Sequence, residues 1–187
     1  MRIRYNAPVT LTYAIMSAVA LGLTQTVAPH LIGRFFTVGA TMNPFSPLDY
    51  LRLFSHAVGH SSWNHLMNNF AFILLLGPIL EEKYSSISLF IMILITAGVT
   101  GLLNVLFLST GLLGASGVVF MMILLISFTN IRQGEVPLTF ILVVILYLTR
   151  EVVNFFIAAD SISQFAHITG GVIGSMFGFL QPRGRRG

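Results

Sequence analysis

The sequence predicts an all-α membrane protein of six transmembrane helices, with a long membrane-associated loop between the first and second. Three observations carry this. The 187 residues are 55% hydrophobic and only 9% charged, with a mean hydropathy of +0.86; a soluble domain carries roughly 25% charged residues. Six segments, at about 8–28, 62–80, 86–108, 116–131, 137–157 and 164–181, are long and apolar enough to span or nearly span. The connection over 29–61 is by far the longest and is rich in aromatic residues.

The first segment starts after Arg2 and Arg4 and contains Ala18-Val19-Ala20, which fits a small-x-small cleavage site. Its apolar run continues past that site to Ala28. A run of about 20 residues is a spanning helix rather than the core of a signal peptide, so an uncleaved first helix is expected. The 29–61 connection holds Phe35, Phe36, Phe45, Tyr50 and Phe54, with Pro44 and Pro47 as breakers. Long loops are usually functional or disordered, and this one is too aromatic for a disordered linker. A compact structure lying in the outer interface is expected, where aromatic rings are favoured.

The fourth segment is short. Its serine end is expected below the membrane surface, met by a dipping loop over 109–114. Non-helical backbone survives at that depth only inside protein or beside a water-filled cavity. No second domain and no internal repeat is visible, so 1–187 reads as a single domain.

Six spans place both termini on one side. Arg2, Arg4, Lys83, Arg132, Arg183, Arg185 and Arg186 then face Arg34, Arg52 and Arg150 across the bilayer. This asymmetry puts the termini in the cytoplasm and the start of segment four on the outer, in a bacterium periplasmic, side. The net charge of +4 is no nucleic-acid signal, because the basic residues sit at chain ends and in short loops. The chain has no cysteine, which excludes disulfides and thiolate metal sites.

Polar side chains in lipid cost free energy unless they have partners or a function. Ser116 stands at a helix start after a glycine turn, in Gly114-Ala115-Ser116-Gly117. Free backbone N–H groups at such a start can stabilise the oxyanion of a tetrahedral intermediate. The plainer alternative is a helix N-cap among packing glycines. His167 is followed by Gly170, Gly171, Gly174 and Gly178, so it projects from a small-residue face suited to close helix contact. It is either the base for Ser116 or an incidental histidine on a glycine zipper.

His65 and Asn69 are four apart on one face of segment two, and both can donate hydrogen bonds to an oxyanion. Asn68 points about 100° away. His56 and His60 are also four apart, which leaves metal binding open beside interfacial capping. No acidic residue falls inside these clusters; Glu81-Glu82-Lys83 reads as a solvated cytoplasmic loop. A Ser-His-Asp triad and a paired-carboxylate protease are therefore disfavoured. Arg150-Glu151 is expected toward the outer end of segment five.

Together these motifs resemble the rhomboid intramembrane serine proteases, most closely the bacterial GlpG type. The matching pieces are His65-x-x-x-Asn69, Gly114-x-Ser116-Gly117 and Ala166-His167-x-x-Gly170, in family order on the second, fourth and sixth segments. The resemblance implies a six-helix rhomboid bundle over about 8–181. It implies Ser116 as nucleophile and His167 as general base, with His65, Asn69 and the backbone N–H of Ser116 as the oxyanion site and Gly114 in the adjoining loop. Arg52 corresponds to an arginine holding the first loop, and His56 and His60 to nearby structural positions. The fifth segment and the loop near 157–163 resemble a mobile gate and cap. Many relatives carry tyrosine four residues after the nucleophile, stacked on the histidine; here Phe120 can stack but has no hydroxyl. The implied partners are transmembrane substrates and lipids, with no nucleic acid and no cofactor. Two rival classes remain: a client-binding pseudoprotease, and a metal or proton transporter using the histidine cluster.

Overall fold

A computed structural model describes residues 3–108, 110–128 and 161–180, together with positions 138, 141, 142, 145, 146 and 149. The described residues form seven helices and no strand. These are α1 (Pro8–Thr26), α2 (His30–Phe35), α3 (Pro47–Ser55), α4 (Trp63–Tyr84), α5 (Ser86–Phe107), α6 (Ser116–Ile126) and α7 (Ser161–Leu180). The segment expected over 137–157 is helical at its six described positions. The rest of it, Arg150-Glu151, most of the gate and cap region and the C-terminal arginines lie outside the described residues.

Local chemistry sets the helix starts. Pro8 and Pro47 occupy first-turn positions, where the missing N–H costs nothing. Ser46 and Ser62 cap α3 and α4, and Ser85 caps α5 by accepting from Ser88 N–H. Ser85 also ends α4, with φ of 73°. Helix α4 runs through Pro78 to Tyr84, beyond the expected limit near 80.

α6 is buried over its whole circumference from Gly117 to Leu125, as expected of a helix at the centre of a bundle. It packs against α4, α5 and α7, and Met121, Met122 and Leu125 are fully buried. It stops at Ile126 rather than 131, where Ser127 N–H turns back to Leu124 and Ser127 Oγ donates to the Ile123 carbonyl. By length and hydropathy, α1 and α5 suffice to cross a membrane. The 22-residue α4 and 20-residue α7 are long enough, and the polar residues that dilute them include His65, Asn69 and His167.

The 29–61 connection is a folded unit. It contains α2, α3 and a bridge in which Val38 and Leu112 exchange backbone hydrogen bonds of 3.0 Å. Arg52 Nε donates to the Arg34 carbonyl at 2.8 Å, and its guanidinium pairs with Asp49 at 2.6 Å. Ser55 Oγ donates to the Phe35 carbonyl. Tyr13 Oη donates to the Ala57 carbonyl at 2.7 Å, fixing the unit to α1.

Glu81 corrects the sequence reading. It is buried in α4 rather than solvated. α1 and α4 approach so closely at Gly77 that a Cβ there would collide with Thr10. One turn further on, the Glu81 carboxylate accepts from Thr10 N–H at 2.7 Å, Thr10 Oγ1 at 2.6 Å, Val9 N–H at 3.2 Å and Ser86 Oγ at 2.7 Å. It does for α1 what Ala7, the residue at its N-cap, cannot, and it places negative charge at the positive end of the helix. Glu81→Ala is expected to lower stability by about 3 kcal/mol, with Glu81→Gln less damaging. The thermal midpoint of detergent-solubilised protein checks this; an unchanged midpoint for Glu81→Ala contradicts it.

Candidate active site

The expected nucleophile lies at the first helical residue of α6. The N-cap is Ala115, so Ser116 does not serve as the cap. Gly114 has φ of +121°, a left-handed conformation that side-chain-bearing residues rarely adopt. Its N–H donates to the His56 carbonyl at 2.9 Å. The turn is therefore anchored on the end of α3, and Leu112 anchors it on Val38. From the α5 side, Asn104 Nδ2 donates to the Thr110 carbonyl at 2.9 Å. The result is a half-exposed Ser116 at the mouth of a buried helix.

His65 flanks this turn. A Cβ at Gly114 would lie 2.6 Å from His65 Cε1 and 2.7 Å from Nε2. The ring edge carrying Nε2 thus faces the backbone just before Ser116. Asn69, one turn along α4, is buried, and its Nδ2 has no hydrogen-bond partner among the described residues. An unpaired buried amide donor costs free energy unless an acceptor arrives. Asn68 is exposed.

α7 delivers His167. Its imidazole stacks on Phe120 with ring centroids 4.0 Å apart and planes 4° from parallel. Phe120 is one turn below Ser116 on α6. A Cβ at Gly117 would lie 3.3 Å from the Ala166 carbonyl, and a Cβ at Gly170 would overlap the Gly117 carbonyl. Gly174 likewise meets the Met121 backbone, whereas Gly171 faces only Leu124 side-chain atoms. The residues adjoining Ser116 and His167 are therefore in direct contact. The helix that carries the histidine is held against the one that carries the serine by absent side chains.

His56 and His60 lie behind this centre, the first through its carbonyl on Gly114 N–H and the second through its ring against His65. His56 Nε2–H donates to the Ala97 carbonyl at 3.1 Å, and His60 Nδ1–H to the Val58 carbonyl at 3.1 Å. No group of three or more potential metal ligands occurs among the described residues. Burial lowers the His56 imidazole to about 4. Burial, reinforced by the His65 ring, lowers His60 to about 4. Both are neutral when folded, and when unfolded they take up protons below their ordinary 6.5. The unfolded chain thus binds more protons between 6.5 and 4, so stability is complete above 6.5 and falls as the pH drops toward 4. The expected loss is about 3 kcal/mol per histidine. Thermal midpoints measured across that range check the slope, and a His56→Asn variant is expected to flatten it.

Sequence reasoning missed two polar residues beside this centre, Thr100 and Asn104, and a third, Gln164, three residues before His167 on α7. Thr100, Asn104 and Gln164 are buried, and Thr100 Oγ1, Asn104 Oδ1 and Gln164 Oε1 are unpaired among the described residues. Thr100 Oγ1 would lie 3.2 Å from a Cβ at Gly117. Thr100 and Asn104 share a face of α5 at i, i+4 spacing, the one signal in the sequence that could have marked them.

Two comparisons with known proteins bear on this arrangement. Residues 47–183 match the family model of the Rhomboid domain. No curated protein matches the chain.

Proposed function

The chain belongs to the rhomboid family, an integral membrane family made up mostly of intramembrane serine proteases, and from that premise we propose that it is an active endopeptidase of the GlpG type. Its substrates are transmembrane segments of other membrane proteins. Ser116 Oγ attacks the scissile carbonyl carbon while His167 takes the hydroxyl proton. The oxyanion is held by His65, Asn69 and the backbone N–H of Ser116. His167 then protonates the leaving amine, and the C–N bond breaks. Water, deprotonated by the same imidazole, hydrolyses the acyl-enzyme and restores the serine.

The observation that carries this reading is the contact of α6 with α7 through Gly117, Ala166 and Gly170, together with the Phe120–His167 stack. Phe120 and Ser116 are four apart and share a face. The ring stacked on Phe120 therefore lies on the face of α6 that Ser116 begins. The Gly114 turn supports the oxyanion assignment, because it brings the His65 ring edge and the free N–H groups of the α6 start to one place. We further assign six spans, with both termini cytoplasmic and the site open to the periplasmic face of a bacterial inner membrane. The loop unit of α2 and α3 then sits in the outer interface, consistent with Phe45, Tyr50 and Leu51 being exposed.

Co-reconstitution of the protein with single-span substrates in liposomes tests the proposal. Fragments cut within or beside the span, and absent with Ser116→Ala, are expected. A folded protein that retains such substrates uncut would favour the client-binding reading.

A further inference from the structure

Two consecutive serines precede α4 and hold the same histidine in different ways. Ser62 Oγ accepts from the backbone N–H of His65 at 3.1 Å, the ordinary work of an N-cap. Ser61 instead contacts the ring: its Oγ lies 3.0 Å from His65 Nδ1. Ser61 is itself fixed, because Gln25 Nε2 near the end of α1 donates to its carbonyl at 3.2 Å. On the opposite edge of the ring, Nε2 faces the Gly114 turn. The His60 ring packs against His65 at a steep angle, 67° between planes and 5.0 Å between centroids.

A neutral imidazole carries one N–H, and the partner of one nitrogen decides whether the other donates or accepts. If Nδ1 carried the proton, Nε2 would present a lone pair to the Gly114 turn and repel an oxyanion. If the Ser61 hydroxyl donates to Nδ1, the proton sits on Nε2 and points where negative charge develops. We propose that Ser61 is a positioning residue for the reaction: it holds His65 in the Nε2–H tautomer, with Gln25 as its anchor on α1. This rests on the proteolytic reading. It deepens that reading by assigning a role to an exposed side chain on the loop outside the bundle. Partners behind a reacting group commonly fix its tautomer and ring orientation in this way.

The test combines a spectroscopic and a kinetic readout on the full chain. In protein labelled with 15N-histidine, the two ring-nitrogen shifts of His65, assigned by comparison with His65→Gln, report which nitrogen is protonated. The wild type is expected to hold the Nε2–H form. Ser61→Ala is expected to populate both tautomers and to lower kcat about fivefold to tenfold, the scale of one hydrogen bond, at unchanged KM. Ser61→Thr, which keeps the hydroxyl, should restore both, while Ser62→Ala should lower the melting temperature without moving the tautomer. Wild-type tautomer and wild-type kcat in Ser61→Ala would overturn the proposal, as would an Nδ1–H wild type. A wild type with the expected tautomer that cleaves no substrate and is not labelled at Ser116 by a fluorophosphonate would instead remove the proteolytic reading on which the role rests.

Discussion

Ser116→Ala and His167→Ala are each expected to abolish cleavage of a transmembrane substrate, while His65→Ala and Asn69→Ala should leave a measurable residue of activity. The difference follows from what each group does. In the proposed reaction the serine forms the covalent bond and the histidine moves its proton, so loss of either removes the route itself. Such partners act as a unit, and the double variant should be no worse than either single one. An oxyanion donor contributes only to transition-state stabilisation, worth roughly 10²–10³ in rate for each donor removed. The backbone N–H of Ser116 survives in His65→Ala and Asn69→Ala and retains part of that stabilisation. Turnover in proteoliposomes, with folding checked by circular dichroism, compares the four single variants and the double variant with the wild type. Four equally inactive variants that also unfold would show that these positions are structural.

Gly170→Ala should be about as damaging as removal of an oxyanion donor, although alanine is the better helix former. The new methyl would overlap the Gly117 carbonyl, and a main-chain oxygen at the start of a buried helix cannot swing aside. α6 and α7 would have to separate, and His167 would move away from Ser116. Overpacking of this kind costs about 1–3 kcal/mol or more, and a displacement near 1 Å at a reacting centre costs about 10² in rate. Gly171→Ala is the internal control. Its methyl would meet only Leu124 side-chain atoms, at 3.7 Å or more, so near-normal activity and a slightly raised melting temperature are expected. Activity and melting temperature of the pair, measured side by side, decide the matter; equal behaviour of the two would contradict the close-packing account.

The contrast between these two glycines was only half legible in the sequence. The small-residue repeat at Gly170 and Gly174 marks a face for close packing, and α6 is the partner that face meets. Burial of α6 on all sides follows from its uninterrupted apolar run. Its early stop at Ile126 does not, because the tightening of Ser127 N–H onto Leu124 and Phe128 N–H onto Leu125 leaves no glycine or proline signal in the sequence. Glu81 was misread for a related reason. Charge next to Glu82 and Lys83 looks like a solvated loop, and only the approach of α1 at Gly77 turns it into a buried cap. The pairing of Ser61 with His65 was also hidden. Spacing of four placed His65 with Asn69, whereas Ser61 lies before the helix, and its reach depends on the turn that leads into Ser62.

Labelling of detergent-solubilised protein by a fluorophosphonate probe, comparing wild type with Ser116→Ala and His167→Ala, addresses the central claim most directly. The probe forms a phosphorus–oxygen bond only with a serine whose hydroxyl is activated by a base. Labelling of the wild type, with both folded variants unlabelled, is the predicted result and would establish a serine activated by histidine between α6 and α7. Labelling that persists in His167→Ala, or a folded wild type that stays unlabelled at probe concentrations sufficient to enter the site, would contradict it.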